Sequence, residues 1–498
     1  MALWQSIPFA CILLPLGSAA VTSVLKGKGA RRWTIAVLLA EVIGAAVLAV
    51  LMASYPESYP YRMGHYDAPW GNMIRVGQLE AITAFFFSLV MLLSLLGGVK
   101  KLDEHVVAGK HNLYFVVMLL LTAALMAQVY TDDMFTAYVF VEIMTIAACT
   151  LIAARNRGKS LLASTRYMIM NSIGSGLFLL GLILTYGLTG HLLMSNVHDS
   201  MRQLAMTGQY DIPVTVAFAL ITSGLAIKSA LFPFHTWVPD AYGSTTPASA
   251  SVLSSLVSKG YIFLLIKIYC RVYNLDIVAE AGVTNVLFVF AIVAMIMGSI
   301  MAIRETDIRR MIAYSSVAQI GYIFMGIGFG TEFGMMAAMF HIFAHSASKA
   351  MLFISSSALI DASNGNSSLK DLQGSGYRNK LAGIAFTVGA LSMVGFPFLG
   401  GLISKINFAD AALQYQGHHM MLALAALAIS TWLNVLYFLR TMMSIYSKQG
   451  TEGITYAAKK NNPALVVSLV AFIALNIALG MFAQPLIAGL MRGLSLFC

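Results

Sequence analysis

The chain has 498 residues, of which 59% are hydrophobic and only 10% are charged, with a mean hydropathy of +0.79. Soluble domains carry about 25% charged residues, so this composition excludes an ordinary soluble protein. The formal net charge of +10 is carried mainly by connections between apolar blocks, as in membrane proteins, and does not indicate nucleic-acid binding.

The amino terminus has the charge pattern of an uncleaved membrane span. Residues 1–8 carry no basic side chain, whereas Lys26, Lys28, Arg31 and Arg32 follow the first apolar block. A secretory signal peptide has the reverse order of charge and apolar residues. We therefore predict that the first helix is retained and begins on the outer side of the membrane.

Long apolar blocks continue along the chain and predict an all-α polytopic membrane protein with about fourteen transmembrane helices. About 20 apolar residues are needed to cross a bilayer, and blocks such as 113–130 and 465–481 approach this length. The predicted spans are, in chain order, 4–24, 33–53, 78–98, 113–131, 133–154, 162–188, 212–232, 247–269, 277–302, 309–330, 335–360, 381–406, 419–446 and 463–490.

Lysine and arginine are concentrated in every second connection between these spans. Cytoplasmic loops are enriched in both residues, so the pattern predicts an even number of spans in the inner, cytoplasmic membrane, with both termini on the outer side. The opposite connections are poor in basic residues, and 189–211 holds only Arg202. The basic side carries Lys26, Lys28, Arg31, Arg32, Lys100, Lys101, Lys110, Arg155, Arg157, Lys159, Arg304, Arg309, Arg310, Lys370, Arg378, Lys380, Lys448, Lys459 and Lys460.

Two segments interrupt the helical pattern, namely 227–247 (IKSALFPFHTWVPDAYGSTTP) and 394–405 (VGFPFLGGLISK). Both contain Phe-Pro-Phe, and Pro233 and Pro397 each remove a backbone donor. Unwound backbone is tolerated at membrane depth only where it is buried in protein or faces water. Paired interruptions in the two halves of a transporter indicate inverted repeats and an ion pathway. Two unrelated kinked helices are the alternative interpretation.

Charged and titratable side chains inside the predicted spans are the most informative feature, because a charge at mid-bilayer costs roughly 2.5–3.5 kcal/mol. Lysines outnumber the single acid, so structural ion pairing, the alternative interpretation, leaves amines without a partner. Desolvation favours a neutral amine and a nearby carboxylate favours the charged form, which suits proton transfer. The residues are Glu142, Lys228, Lys259, His341, His345, Lys349 and Lys405, of which the two histidines and Lys349 share one helix face.

Three other charged residues receive no transport role. Lys267 and Arg271 lie near a span end and are predicted to extend to the membrane interface. Glu41 in the second span is interpreted only as a packing partner or an isolated buried acid.

The motifs resemble the antiporter-like subunits shared by respiratory complex I, Mrp-type sodium/proton antiporters and energy-converting membrane hydrogenases. The resemblance extends from roughly Glu80 to Tyr446. Lys405, and an end at Cys498 without a long lateral helix, make the Mrp D-type subunit the most similar branch. The matching motifs are VEIMTI around Glu142, AIKSALFPFHTWVPDAYGSTTPASAS, LVSKGYIFLL, ETDIRRMIAYSSVAQIGY, FHIFAHSASKAMLFISSSALI and GFPFLGGLISK.

This resemblance implies a specific architecture. It comprises fourteen helices built around two inverted five-helix repeats, in which the seventh and twelfth helices are broken. The implied divisions are 1–112 for helices one to three, 113–270 for the first repeat, 271–446 for the second repeat and 447–498 for helix fourteen.

The resemblance also implies roles for the buried residues. Glu142 would modulate Lys228, and Lys259 would pass the proton along the central axis. The segment bearing His341, His345 and Lys349 would continue the axis to Lys405, next to an exit path. Asp240 would close the first broken segment or contact a neighbouring subunit.

Two positions depart from the pattern of many relatives. Tyr242 follows WVPDA and Gln319 lies in SSVAQIGY, where histidine occurs in many or some relatives. Each difference removes a side chain that could bind and release the proton between the two half-channels. The sequence therefore defines the end points of the route better than the route itself.

The resulting functional hypothesis is a proton-translocating subunit of a redox-driven complex, either an energy-converting hydrogenase or a complex I relative. A subunit of an Mrp-type sodium/proton antiporter is the alternative, and an independent transporter of an organic solute is the third. The expected partners are other antiporter-like and small membrane subunits, lipid, and protons with or without sodium ions. Since Cys11, Cys149, Cys270 and Cys498 form no close pair, we expect no cofactor on this chain. Iron–sulfur clusters or a nickel–iron site are expected only on partner subunits.

Overall fold

The computed structural model describes residues 3–55, 57–66, 71–208, 210–415, 417, 419–447 and 461–495. Within these residues, thirteen helices are long and apolar enough to cross a membrane. A fourteenth, broken span consists of the shorter helices Lys380–Val394 and Gly400–Tyr415. The predicted all-α architecture of about fourteen spans is therefore confirmed. Four residues named above, Lys448, Lys459, Lys460 and Cys498, lie outside the described part.

The spans are numbered here in chain order, and the seventh is followed by short helical pieces in its broken segment. They are Ile7–Val24, Gly27–Ser54, Gln78–His105, His111–Tyr130, Met134–Ala153, Gly158–Thr189, Asp211–Lys228, Pro247–Tyr273, Val283–Arg304, Ile308–Gly328, Glu332–Asp361, Lys380–Val394 with Gly400–Tyr415, His419–Tyr446 and Pro463–Met481.

The connections contain regular structure that hydropathy did not predict. Strand β1 (Tyr59–Arg62) pairs antiparallel with strand β2 (Met73–Val76) between spans two and three. Helix Met194–Thr207 lies between spans six and seven. These elements are too short or too polar to register in a search for apolar blocks of membrane length. The remaining short helices are Leu3–Ser6, Met63–His65, Ala108–Lys110, Phe234–Trp237, Val238–Ser244, Leu275–Glu280 and Ser375–Arg378. The predicted span 463–490 was too long, because span fourteen ends at Met481 and a separate helix, Ala483–Ser495, follows it.

Side-chain caps fix where several spans begin. Asp133 accepts a hydrogen bond from the Thr136 backbone nitrogen at 2.6 Å at the start of span five. Asp307 accepts from the Arg309 nitrogen at 2.9 Å at the start of span ten. Both acids satisfy backbone donors that a helix start leaves unpaired. The spans thus begin at positions set by polar residues as well as by the edges of the apolar blocks.

Spans eight, ten and eleven form the centre of the molecule. In each span we consider the 18 consecutive residues that are most apolar. All 18 are buried in span eight and in span eleven, and 94% of them are buried in span ten. Spans one, two and fourteen bury 39% or less of the corresponding window. The central spans are also the ones that carry Lys259, His341, His345 and Lys349, so these side chains lie along the protein interior and not on the lipid-facing surface.

Both predicted interruptions are present. Span seven ends at Lys228, and the chain continues through Phe234–Trp237 and Val238–Ser244 before span eight. Span twelve stops at Val394, where Gly395 adopts φ 96°, and helix resumes at Gly400. One prediction was wrong in detail, because the connection assigned to 407–418 is helical up to Tyr415. The predicted span ends at residue 406, but the helix continues for nine further residues.

Close contacts between spans six and seven depend on glycine. A Cβ added at Gly224 would come within 2.6 Å of the Gly174 carbonyl oxygen and 2.7 Å of the Phe178 backbone nitrogen. Small residues allow helix backbones to approach closely in membranes, where packing drives association. This contact lies one turn from Lys228 and fixes the distance between the two helices there.

We therefore expect Gly224→Ala to destabilise the protein by about 1–3 kcal/mol, since the methyl group overlaps backbone atoms that cannot move independently. Gly176→Ala is the matched control, because no atom of the described residues lies within 4 Å of its added Cβ. Thermal unfolding of the detergent-solubilised chain, followed by size-exclusion chromatography, measures the difference. Equal Tm values for the two variants would show that this contact is not tightly packed.

Candidate functional site

The first buried pair of the predicted relay joins spans five and seven. Lys228 Nζ lies 3.4 Å from Glu142 Oε1 and donates to Thr145 Oγ1 at 2.8 Å. The Glu142 side chain is 30% exposed and also accepts a hydrogen bond from Ser175, whereas the Lys228 side chain is fully buried. The structure thus brings the two predicted partners together. The acid has access to the protein surface, and the amine does not.

Lys259 has a different environment from Lys228. Its Nζ donates to the Ser254 carbonyl oxygen at 2.6 Å and to Ser258 Oγ at 3.0 Å. The residues 253–257 before it form a π-helical turn, a feature frequent at functional sites. Within the described residues, no carboxylate lies within ion-pair distance of this amine. Backbone and hydroxyl dipoles alone hold it.

Hydroxyl groups connect span eight to span ten and then to Lys349. Ser254 Oγ lies 3.0 Å from Ser316 Oγ, and the neighbouring Ser315 Oγ accepts from Lys349 Nζ at 2.7 Å. Lys349 also donates to the Ile312 carbonyl oxygen at 3.2 Å. Serine hydroxyls therefore lie between Lys259 and Lys349, which are on different helices.

The two histidines lie between Lys349 and the second break. His341 Nδ1 is 2.7 Å from Ser404 Oγ, and the rings of His341 and His345 are 5.9 Å apart between centroids. Both His345 nitrogens are buried, and neither has a hydrogen-bond partner among the described residues. A neutral imidazole can both donate and accept a proton through its two nitrogens, so His345 has the chemistry of a shuttle.

Lys405 lies at the second break and stabilises it. Its Nζ donates to the Val394 carbonyl oxygen at 2.6 Å and lies 5.9 Å from the centroid of the Tyr322 ring. Val394 is the last residue of the first half-helix, whose carbonyl oxygens lack partners in the helix itself. The amine therefore caps that helix end, where a positive charge is favourable. Pro397 lies between Val394 and Lys405 in the break.

Asp240 ties the first broken segment to two spans. Its carboxylate pairs with Arg166 Nη1 at 2.5 Å and with Arg310 Nη1 at 2.6 Å. These arginines belong to spans six and ten, while Asp240 lies in Val238–Ser244, after Pro233. Asp240 therefore links the broken segment to both of these spans.

The two positions that depart from the relatives are both buried beside the axis. The Tyr242 hydroxyl donates to the Leu253 carbonyl oxygen at 3.3 Å, next to the π-helical turn. Gln319 is buried in span ten, one turn beyond Ser315 and Ser316. Neither side chain titrates near neutral pH, so each can orient hydrogen bonds but cannot store a proton.

The interpretation of Lys267 and Arg271 as interfacial residues was wrong. Arg271 Nη2 pairs with Glu80 Oε1 at 2.6 Å, and Arg271 Nη1 lies 3.4 Å from Asp132 Oδ1. Lys267 Nζ donates to the carbonyl oxygens of Val129 and Thr131, at 2.9 and 2.6 Å. Both basic side chains are buried, and so are both acids.

The cause of this error was the assumption of a single buried acid. Glu80 begins the third span and Asp132 follows the fourth, so both appeared to lie at helix ends. Asp132 also accepts from Arg75 Nε at 3.1 Å in strand β2, which folds over this end of the bundle. The sequence did contain a signal for this cluster. Glu80 and Asp132 lie at the ends of two spans, and span eight carries two basic residues near its own end.

Glu41 is buried in span two, and neither carboxylate oxygen has a hydrogen-bond partner among the described residues. The described part of the chain contains no group of three or more His, Cys, Asp or Glu side chains that could hold a metal ion.

We expect Arg271→Gln to destabilise the protein strongly, because it leaves Glu80 and Asp132 buried without this cation. Removing one partner of a buried ion pair costs about 3–5 kcal/mol. Arg75→Gln is the control, since its side chain is 23% exposed and contacts the same Asp132. Thermal unfolding in detergent measures both variants, and an Arg271→Gln protein as stable as Arg75→Gln would contradict the expectation.

Comparison with known protein families gives a match over residues 131–432 to the transmembrane family described as NADH:quinone oxidoreductase/Mrp antiporter. The N-type subunit of NADH-quinone oxidoreductase from Desulforudis audaxviator is 30% identical over 457 residues, covering 89% of this chain and 87% of the relative. The D-type subunit of a Na⁺/H⁺ antiporter from Alkalihalophilus pseudofirmus is 27% identical over 432 residues, covering 85% and 83%.

Two solved structures have the same fold. A chain of the Mrp complex from Dietzia superposes with a TM-score of 0.88 at 23% identity, covering 100% of this chain and 98% of that one. A chain of the membrane-bound sulfane sulfur reductase, an archaeal respiratory membrane complex, also gives 0.88, at 26% identity and 99% and 98% coverage. The resemblance stated from the motifs is confirmed.

Proposed function

This chain belongs to the NADH:quinone oxidoreductase/Mrp antiporter transmembrane family, and we propose that it is the proton-translocating membrane subunit of a redox-driven complex. Its relatives are subunits of multi-subunit membrane assemblies, and an antiporter-like subunit of such a complex is the function they support. A redox-driven complex is favoured by the similarity to an NADH-quinone oxidoreductase subunit and to an archaeal respiratory complex.

The observation that carries the proposal is a series of buried lysines held without ion pairs. Among the described residues, Lys259, Lys349 and Lys405 have no carboxylate within ion-pair distance, and each donates to backbone carbonyl oxygens, in two cases also to serine hydroxyls. A structural role would favour paired charges, as at Arg271. Buried amines without a fixed counter-ion can exchange protons, which is the chemistry that a relay needs.

In the proposed relay, Glu142 modulates the charge of Lys228, and the proton passes to Lys259. It then continues through Lys349, His345 and His341 toward Lys405. The hydroxyl bridge between spans eight and ten and the contact of His341 with Ser404 support this order.

The second candidate function is a subunit of a stand-alone Mrp-type antiporter, in which sodium ions are exchanged for protons. The similarity to a D-type antiporter subunit and the lysine at position 405 favour it. An independent transporter of an organic solute has no support among the relatives described above, which are all parts of larger assemblies.

Several finer features belong to the same proposal. We place the protein in the cytoplasmic membrane with both termini on the outer side, because lysine and arginine cluster in alternate connections. The division into two inverted five-helix repeats, at 113–270 and 271–446, is supported by the two broken spans. Iron–sulfur clusters or a nickel–iron site belong to partner subunits, and lipid and further antiporter-like subunits surround this chain.

Lys228→Ala and Glu142→Ala are expected to abolish ion translocation while leaving the complex assembled, because each removes one half of the first pair. Proton uptake into inverted membrane vesicles, followed by a fluorescent pH-gradient dye, gives the rate. Lys370→Ala, which removes an exposed lysine outside the spans, is the control and keeps the normal rate. Near-normal pumping by an assembled Lys228→Ala protein would refute the relay.

The choice between the two candidate functions is tested by mild-detergent purification of the tagged native protein and mass spectrometry of its partners. Recovery of iron–sulfur or hydrogenase subunits is the expected result and identifies a redox-driven pump. Recovery of small membrane proteins alone would assign the chain to an Mrp-type antiporter and reject the redox-driven complex.

A further inference from the structure

A cavity of about 740 Å³ opens among the basic connections, at the ends of spans three, five, six and ten. Among the described residues, seven lysines or arginines and four aspartates or glutamates line it. The cavity is separate from the buried lysine series, since none of those residues contributes to its wall. The excess of basic over acidic side chains indicates that the cavity binds an anion.

The acids in the cavity already have partners. Lys101 pairs with Glu104 and Asp361, at 2.5 and 2.8 Å. Asp240 is shared by Arg166 and Arg310, as described above, and Asp307 caps the start of span ten through the backbone nitrogens of Arg309 and Arg310. Three of the basic side chains therefore account for three of the acids. The fourth acid, Asp307, is held by those backbone nitrogens and by the Ser367 hydroxyl, and together with Asp361 it also attracts the Arg309 guanidinium.

Arg155, Arg157 and Arg309 line the same cavity, and none of the three forms a side-chain ion pair with another described residue. Arg155 makes one long side-chain hydrogen bond, from Nη1 to the Ser244 carbonyl oxygen at 3.4 Å, and its buried Nε has no partner among the described residues. Burial, with repulsion from Arg309 and Arg157, lowers the pKa of Arg155 to about 10. Positive charges that repel each other in a cavity of this size are stabilised by an anion.

We propose that Arg155, Arg157 and Arg309 bind the phosphate group of an anionic membrane phospholipid. Arginine is the side chain best suited to phosphate, because its planar donors match the phosphate oxygens in pairs. Clusters of basic residues at the cytoplasmic ends of membrane helices recognise anionic headgroups in this way.

The wall of the cavity supports a lipid as the source of the phosphate. Leu162 of span six lines the cavity and is 54% exposed. Ile169 and Ile173 continue an exposed apolar face along the same helix. A phosphate in the cavity and an acyl chain along this face can belong to one molecule. Arg166, which holds Asp240, lies on the same face between these residues, so the bound lipid contacts the broken segment of span seven.

The test uses the full chain in its purified complex, after removal of lipid with detergent. Phosphatidylglycerol, phosphatidylcholine and inorganic phosphate are titrated separately, and bound molecules are counted by native mass spectrometry. We expect saturable binding of phosphatidylglycerol, and an increase in Kd of at least about tenfold for Arg155→Gln and for the more exposed Arg157→Gln, since each removes charged hydrogen bonds. Arg32→Gln, an exposed arginine away from the cavity, is the control with the same charge change.

Three results would overturn the proposal. One is equal affinity of the wild type and both cavity variants for phosphatidylglycerol. Another is saturable binding of inorganic phosphate that depends on Arg155 while phosphatidylglycerol binds no better than phosphatidylcholine, which assigns the site to a soluble phosphate. The third is loss of a neighbouring subunit from the variants, which assigns the cavity to an acidic segment of a protein partner.

Discussion

The constraint on which the structure depends is that a buried amine must donate its hydrogen bonds. A carboxylate partner would accept these hydrogen bonds, but it would also stabilise the charged form of the amine and so keep the proton on it. Lys259 and Lys405 instead donate to backbone carbonyl oxygens. The necessary carbonyls come from irregular backbone, namely the π-helical turn at 253–257 and the helix end at Val394. The π-helical turn of span eight and the break in span twelve thus supply acceptors for two of the buried lysines, whereas Lys349 donates to Ile312 and Ser315 in the regular helix of span ten.

The molecule keeps two kinds of buried charge apart. At one end, Arg271 lies between Glu80 and Asp132 in an ion-pair cluster that strand β2 covers. Such a cluster costs too much to open to act as a relay. Along the central axis, lysines rely on neutral groups. The pair of Glu142 and Lys228 is intermediate, because its 3.4 Å separation and the partial exposure of the acid leave the contact weaker than that at Glu80.

The sequence was sufficient where a signal lies within one segment. The spans, both breaks and the shared face of His341, His345 and Lys349 follow from local hydropathy, proline and helical spacing. The ion pairs of Arg271 did not follow, because Glu80 and Asp132 are 191 and 139 residues away along the chain. The continuation of span twelve to Tyr415 was missed because the helix extends beyond the apolar block from which the span was predicted. Contacts between distant segments require the three-dimensional fold.

The two breaks differ in what holds them in place. Residues outside the buried lysine series fix the first, since Arg166 and Arg310 hold Asp240 beside the basic cavity. A member of the series fixes the second, since Lys405 caps Val394 across the break. A neutral amine donates a weaker hydrogen bond than a charged one. Loss of a proton at Lys405 would therefore loosen the cap on its own half-helix, whereas the geometry of the first break depends on the partly exposed ion pairs of Asp240.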